Sequence, residues 1–268
     1  MTKGQLTIFM VVGVILLAGV IMVSYIASRT SETTIGVPSD WVDSVRIYTE
    51  ECIDQASMDS VYLIASKGGY YNLSSSYFNM TVAGVNYSMG YVFNDSATPK
   101  NMTISINEME KELSYAMEER FESCIGSYDE FSNLDIEYSD PITDAHIYNE
   151  SVKIDLDYDV VIRLEERETR ISDFRGRTIP VRLGYLRDIS DEIANMAIID
   201  SSVNLTYLND LKIEDNINTY YAFYDNPPEK VYYYIMGDYE SSIRSGNSVS
   251  EPSLSNQPFL YAFALDFS

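Results

Sequence analysis

The 268-residue chain carries a formal net charge of −23 at pH 7, although 46% of its residues are hydrophobic. Such an excess of carboxylates repels phosphate groups, which excludes nucleic acid as a ligand and disfavours docking on anionic lipids. The hydrophobic share excludes a disordered acidic tail and is large enough for a folded core. The acidic balance also suits a high-salt habitat, without establishing one.

The first predicted element is an apolar helix. Residues 4–28 contain no charged side chain. In helical form, at about 1.5 Å per residue, they exceed the roughly 30 Å hydrocarbon core of a bilayer. We expect residues 5–28 to form a transmembrane helix or the core helix of a filament, followed by a polar stalk over residues 29–37. The charges that flank the two ends of the apolar segment nearly balance, so the positive-inside rule sets the orientation of the segment in the membrane only weakly.

Glycosylation signals set the orientation better. The pattern Asn-x-Ser/Thr occurs at seven positions, namely Asn72, Asn79, Asn86, Asn94, Asn101, Asn149 and Asn204. Acceptor asparagines must be exposed and outside the cytoplasm, which predicts an extracellular, N-glycosylated ectodomain over residues 38–268. A Ser/Thr/Asn-rich loop that generates sequons by accident is the alternative.

Two amphipathic helices are predicted in the first part of this ectodomain. Apolar residues recur at helical spacing from Ser39, and Lys67-Gly68-Gly69 marks the end of the first helix. Ser105 and Glu108 form a capping-box pattern at the start of the second helix. Between the helices, residues 70–100 predict hairpins or exposed loops.

The two cysteines of the chain, Cys52 and Cys124, fall on the predicted buried faces of these helices. In an oxidising compartment a pair of cysteines suggests one disulfide, and this one would bridge two packed helices. A pair of free buried thiols is the alternative.

After Pro141 the periodicity changes from helix to strand. The pattern predicts a long strand over residues 152–165, a third helix over 177–200, a short helix or turn over 204–213, and strands over 218–225, 230–239 and 258–267. The fold class is therefore α+β, an N-terminal hydrophobic helix followed by disulfide-linked helices and an antiparallel β-sheet. We divide the ectodomain into a helical, sequon-rich part (38–139) and a sheet-rich part (140–268).

The sequence offers little chemistry for catalysis. His146 is the single histidine, beside Asp144, and no nucleophile elbow or phosphate-binding loop accompanies it. The series Asp155, Asp157 and Asp159 lacks the glycine and the closing glutamate of a calcium loop, so we interpret it as the solvated face of a strand. We predict no catalytic residue, no metal and no cofactor.

Tyrosines cluster at residues 70–71, 220–221 and 232–234. Successive residues of a strand point to opposite faces, so consecutive tyrosines cannot all lie in the core. Exposed tyrosine gives a large amphipathic contact area at low entropic cost, which favours protein or glycan contact. Ordinary half-exposed residues of a two-faced sheet are the alternative.

The head of the chain, Lys3-Gly4-Gln5 followed by the apolar helix, resembles the class III signal peptide of archaeal type IV pilins and archaellins. The resemblance implies a leader of residues 1–4, cleavage after Gly4 by a prepilin peptidase-like enzyme, and self-assembly through the N-terminal helix. Many pilins carry Glu at the fifth mature position, where this chain has Phe9, and this departure weakens the expectation of filament assembly.

The rest of the chain resembles uncharacterised surface proteins of small-genome archaea. The shared features are Gly68-Gly69-Tyr70 after a Cys-bearing helix, Met109-Glu110 at the start of a second Cys-bearing helix, and an aromatic last strand over Pro258–Phe267. This resemblance implies a location at the cell surface rather than an activity.

The expected function is that of a non-enzymatic, glycosylated cell-surface protein. We expect a pilin-like filament subunit (major, minor or tip) that serves adhesion or cell–cell contact, with the ectodomain outside the cytoplasmic membrane. The expected partners are the membrane, the processing peptidase, N-glycans, further copies of the chain, and host-cell or envelope proteins. The alternative is an uncleaved single-pass receptor or envelope-complex component, and a hydrolase that uses His146 is a third interpretation.

Overall fold

A computed structural model describes most of the ectodomain, namely residues 39–73, 77–82, 85–94, 100–200, 202, 204–226, 229–241 and 258–267. The leader, the apolar segment 5–28 and the stalk lie outside this part of the chain, so their predictions stay predictions. Within the described ranges, no helix is both long enough and apolar enough to cross a membrane.

The described residues form four α-helices, α1 Ser39–Ser66, α2 Ile106–Ile125, α3 Leu183–Asp200 and α4 Leu205–Glu214. The disulfide between Cys52 of α1 and Cys124 of α2 is confirmed, with Cα atoms 5.6 Å apart. The capping box at Ser105 is present, as the sequence predicted. The predicted start of α3 at residue 177 is wrong, because Arg177–Ile179 forms a strand and Pro180 disfavours helical geometry in the residue before it.

Twelve strands are described. They are β1 Tyr77–Val82, β2 Val85–Asn94, β3 Lys100–Asn101, β4 Asp135–Tyr138, β5 Ile142–Ile147, β6 Val152–Asp157, β7 Val160–Leu164, β8 Arg167–Ile171, β9 Arg177–Ile179, β10 Ile217–Asn226, β11 Glu229–Asp238 and β12 Phe259–Asp266. The α+β class with a mainly antiparallel sheet is therefore confirmed.

The main sheet has the strand order β1-β2-β12-β11-β10, with β3 paired to β2. Its one parallel pair among the described strands joins β12 to β2, where the sequence predicted an antiparallel sheet. Strand β12 is buried on both faces, which suits a central position between two neighbours. The hairpin β1–β2 thus belongs to the same sheet as the last three strands. The main sheet therefore contains strands from both predicted parts of the ectodomain, 38–139 and 140–268.

Strands β4 to β9 form two three-stranded sheets, in the orders β4-β7-β8 and β5-β6-β9, which follow one another along the chain as one bent meander. The predicted strand over 152–165 is interrupted at Tyr158 and Asp159, and its partner is interrupted at residues 139–141. The Ser139 N–H donates to the Asp159 carbonyl at 3.0 Å, so three residues lie opposite two across this joint. Such a mismatch bends a sheet as a β-bulge does. The predicted alternation survives the bend, because Val152, Ile154, Tyr158, Val160 and Ile162 are all buried.

One hydrophobic core holds these layers together. Helices α1 and α3 pack against the main sheet, and α2 packs between α1 and strand β5 of the meander. A smaller cluster lies on the opposite face of the sheet, where the Phe78 ring stacks on Tyr233 with centroids 6.1 Å apart. Ala262 and Ala264 lie on this face between the two rings and leave room for them to meet.

Candidate binding edge

The predicted processing residues Lys3, Gly4 and Gln5 lie outside the described part of the chain. The predicted glycosylation sites are spread over the ectodomain. Asn72, Asn79, Asn149 and Asn204 are exposed, and Asn86 and Asn94 lie on β2.

Asn101 differs from the other sequons. Its Nδ2, the atom to which a glycan would be attached, donates to Asp191 and to Asn195 at 2.9 Å each. Its Oδ1 accepts the Thr103 N–H at 2.8 Å. The side chain therefore ties β3 to α3, and this geometry suits an attached glycan poorly.

His146 lies on β5 between two carboxylates. Its Nε2 is 3.4 Å from Asp144, and its Nδ1 is 3.9 Å from Glu110. Glu110 also accepts the Ile147 N–H at 2.9 Å, so this carboxylate anchors the strand to α2. Within the described ranges, no three His, Cys, Asp or Glu side chains are grouped closely enough to hold a metal ion.

The edges of the meander are protected. Glu110 and Glu118 of α2 accept the N–H groups of Ile147 and Thr143 along the outer side of β5. Strands β4 and β8 carry charged residues instead, and Glu137 and Glu168 both pair with Arg163 of the strand between them. Covered and charged edges are the usual means by which proteins prevent further strand pairing.

Strand β10 lies at one edge of the main sheet. Among the described residues, it has neither helix carboxylates that accept its outward N–H groups nor a row of charged side chains. From residue 217 to 224 it carries no charged side chain. Tyr220, Tyr221 and Phe223 are 59%, 48% and 45% exposed. Tyr221 stacks on the buried Tyr234 with ring centroids 6.0 Å apart, so its ring is fixed on one side and open on the other.

The backbone hydrogen bonds show which groups of β10 face outward. The Tyr239 N–H donates to the Asn216 carbonyl at 3.3 Å, and these two residues continue the antiparallel register of β10 and β11. Inward and outward groups alternate along an antiparallel strand. The N–H and C=O groups of Thr219, Tyr221 and Phe223 therefore point away from β11, toward the outer edge of the described sheet.

Helix α4 runs beside this edge and forms a cleft with it. The residues Leu205, Leu208, Asn209 and Lys212 lie at i, i+3, i+4 and i+7 on one helix face, and with residues 218–221 they enclose about 340 Å³. Lys212 alone is charged among these lining residues. The Thr219 Oγ1 at the cleft is buried and has no hydrogen-bond partner among the described residues.

We call β10 together with this cleft the aromatic edge. The tyrosine pair 220–221 is recognisable in the sequence, whereas the cleft is not. The helical spacing of residues 205 to 212, shortly before the uncharged run 217–224, was the available signal. Without knowledge of the strand order, nothing in the sequence says that β10 lies at an edge rather than in the centre of the sheet.

Comparisons of the chain with protein-family models, curated proteins and solved structures found no match. The function must therefore be argued from the chain itself.

Proposed function

We propose that the chain is a non-enzymatic, N-glycosylated cell-surface protein that serves adhesion or cell–cell contact through its aromatic edge. In this proposal the N-terminal apolar helix holds the ectodomain at the surface, either as a pilin-like filament subunit or as a membrane anchor. The single observation that carries the contact role is an aromatic edge strand that is uncharged from residue 217 to 224, on a molecule whose net charge is −23.

Charge makes this edge the favourable place of approach. Two acidic surfaces repel one another over about 10 Å at an ionic strength of 0.1 M, and more weakly in high salt. A contact at β10 brings together the residues that add least to that repulsion, since residues 217–224 are uncharged.

The size of the edge predicts a weak individual contact. An aromatic side chain buries about 150–250 Å² in full, so the half-exposed rings of Tyr220, Tyr221 and Phe223 offer roughly 300 Å² more. At about 25 cal/mol per Å² this gives roughly 7 kcal/mol before the cost of association, which is of similar size. Useful affinity then requires many copies in one array, which a filament or a densely populated surface supplies.

One sequence observation favours the second candidate, an uncleaved single-pass receptor or envelope-complex component. Phe9 occupies the position where a pilin would carry Glu after cleavage at Gly4. In this version the same aromatic edge binds its partner from an anchored position.

The native N-terminus separates the two versions. Mass spectrometry of protein isolated from its own cells is expected to give a mature chain that begins at Gln5. A terminus at Met1 or Thr2 overturns the filament version and leaves the anchored one. Immunogold labelling gives the matching image, because a filament subunit labels appendages and an anchored protein labels the cell outline. Unmodified peptides at every sequon overturn the glycoprotein part of the proposal.

The contact role is tested by retention of protein-coated beads on cells. Beads that carry the full chain with Tyr221→Ala and Phe223→Ala are expected to lose most of the binding of wild-type beads, since several kcal/mol of apolar contact are removed. The matched control is Tyr115→Ala, because this tyrosine is 60% exposed on α2 and does not line the cleft. Equal retention of both variants and wild type overturns the assignment of the contact to this edge.

A further inference from the structure

We infer that the cleft of the aromatic edge binds an extended polypeptide strand, and that this strand is the stalk segment of a neighbouring copy, residues 30–37. The inference rests on the proposed function in one respect, because an array held by the N-terminal helices is what brings neighbouring copies together. The alternatives, the stalk of the same copy and a different protein, are outcomes of the test below.

The backbone of the cleft is arranged for strand addition. The N–H and C=O groups of Thr219, Tyr221 and Phe223 point outward, at the spacing with which a sheet receives a further strand. Main-chain bonds of this kind give affinity in strand addition, and alternate side-chain contacts give specificity.

The dimensions agree with a single strand. Helix α4 has 10 residues and is therefore about 15 Å long at 1.5 Å per residue. This is the length of four to five residues of extended chain at about 3.3 Å each. A cleft with a helix on one side and a strand edge on the other admits one extended segment, whereas the edge of a whole second sheet would meet α4.

The walls of the cleft define the chemistry of the segment. Leu205 and Leu208 offer apolar contact, and Asn209 and Asn218 offer amide groups. The buried Thr219 hydroxyl lacks a hydrogen-bond partner within the part of the chain that the structure describes. Lys212 is the single charge, so the complementary segment has apolar and hydroxyl side chains and one carboxylate.

The stalk has this composition. Residues 30–37 read TSETTIGV, with one acid, Glu32, and a majority of β-branched residues, which favour extended backbone. Pro38 follows directly and has no N–H, so it ends the pairing at that point.

The position of the stalk in the chain favours a neighbouring copy as its source. The stalk joins the apolar segment 5–28 to the ectodomain. Where many copies are held in one array by that segment, each stalk lies at the same height as the stalks around it. Strand addition between copies then links the ectodomains. Some of the exposed rings of β10 contact the added strand, and the others remain on the outer surface.

A peptide binding experiment tests the cleft. A fluorescein-labelled peptide TSETTIGV is titrated with the full chain in detergent micelles, and fluorescence polarisation is recorded. We expect saturable binding, and more than tenfold weaker binding of the Ile35→Pro peptide, because proline removes an N–H and opposes strand geometry. Equal binding of the two peptides, or no binding, overturns strand addition.

A double-mutant cycle tests whether Glu32 of the bound segment pairs with Lys212 of the cleft. The Glu32→Gln peptide is expected to bind about two- to fivefold more weakly than the parent peptide, as for a solvent-exposed ion pair. With the Lys212→Gln chain this difference is expected to vanish. The matched control is Asp210→Asn, a change on α4 outside the cleft lining, where the difference is expected to persist. A difference that persists in Lys212→Gln overturns the assignment of Glu32 to Lys212.

Cysteine cross-linking identifies the source of the strand. Neither native cysteine is free, so new thiols report on their own contact. Copies with Thr34→Cys and differently tagged copies with Thr219→Cys are produced in the same cells. A disulfide between the two tags supports the inference. A disulfide found only when one chain carries both changes shows the stalk of the same copy, and its absence in both cases points to a different occupant. Either result overturns the inference.

The same cells separate this inference from the proposed function. Normal surface labelling and a Gln5 terminus without any stalk disulfide overturn strand addition alone. If wild-type cells show no surface labelling for this protein, the proposed function itself is overturned.

Discussion

At the scale of single residues, the most consequential contact is one that the sequence did not suggest. Arg182 is only 7% exposed, and its Nε donates to the fully buried Asp238 at 3.0 Å. Its Nη2 donates to the Asp215 carbonyl at 2.7 Å, and its backbone N–H donates to the Ser241 hydroxyl at 2.8 Å. The network joins the start of α3, the end of β11 and the turn between α4 and β10. It therefore ties the junction of α4 and β10, the two elements that line the cleft, to β11 and α3.

Removal of this guanidinium is expected to be strongly destabilising. Arg182→Ala leaves the buried Asp238 carboxylate without its partner, which costs about 3–5 kcal/mol in the free energy of unfolding. Urea denaturation followed by circular dichroism measures the loss. The matched control is Arg163→Ala, whose carboxylate partners are exposed, and its unfolding midpoint is expected to stay near that of wild type. Similar losses in both variants contradict the role assigned to burial.

The pH dependence of that loss gives a second readout. Burial by itself raises the pKa of Asp238, but hydrogen bonds from Arg182, Ser241 and the Glu240 N–H outweigh it and hold the pKa below its ordinary value. The stabilisation is therefore complete above the unfolded value of about 3.9 and is lost as the pH falls through the folded pKa. The difference in unfolding free energy between wild type and Arg182→Ala should shrink below about pH 4, and a constant difference contradicts the ion pair.

At the scale of elements, the end of α1 depends on glycine geometry. Gly69 has a φ of +98°, and a Cβ placed there would lie 2.6 Å from a methyl carbon of Ile104. Its N–H donates to the Ile64 carbonyl at 2.7 Å and closes the helix. The turn directs the chain away from α1 toward the hairpin β1–β2, so its geometry positions the first strands of the sheet.

A pair of glycine variants separates backbone strain from collision. Gly126 also has a positive φ, of +54°, but nothing lies within 4 Å of the Cβ that an alanine would add. Gly126→Ala is expected to cost about 1–3 kcal/mol from the backbone alone, because a φ of +54° with a ψ of −138° is a conformation that L side chains rarely adopt. Gly69→Ala is expected to cost more, because Ile104 must also move. Thermal unfolding of both variants makes the comparison, and an equal or smaller loss for Gly69→Ala contradicts the steric argument.

The spacing of apolar residues was sufficient to predict most helices and strands, but it failed at the junctions between them. The apolar stripe of α2 and the alternation around Val152 to Ile162 followed directly from spacing. The bend at Tyr158 left no trace in that alternation, because a bulge inserted into the partner strand does not change which residues of β6 and β7 are apolar. The strand Arg177–Ile179 was assigned to a helix because three residues are too few to define a period.

At the scale of the whole molecule, the disulfide closes a loop of the chain that contains β1 and β2. Cys52 and Cys124 are 72 residues apart, and the hairpin lies between them in sequence. The bridge therefore limits the unfolded chain in the region that must find β12, far along the sequence.

Loss of the bridge is expected to reduce stability by a predictable amount. By the chain-entropy relation, the double variant Cys52→Ser, Cys124→Ser should lose about 4 kcal/mol in the free energy of unfolding. Urea denaturation of both chains, with and without dithiothreitol, measures this. Reduction should lower the wild type to the level of the variant and should leave the variant unchanged. A further loss in the reduced variant would contradict an effect through the disulfide alone.

The sequence by itself determined most of the local elements and the only disulfide that its two cysteines could form. Apolar spacing depends only on which face of an element must leave water, and that is readable one segment at a time. With two cysteines on the buried faces of two helices, a single pairing was available. The sequence also gave the expectation of a surface protein, which rests on its first residues and its sequons.

Only the tertiary structure decided which strands are neighbours, and with that where the aromatic edge lies. The parallel pairing of β12 with β2 joins residues far apart in the chain, and its gain comes from the burial of both faces of β12 in one core. The same assembly leaves β10 without a further neighbour among the described strands and sets α4 beside it. Tyr221 is buried or exposed according to that strand order, which no local pattern specifies.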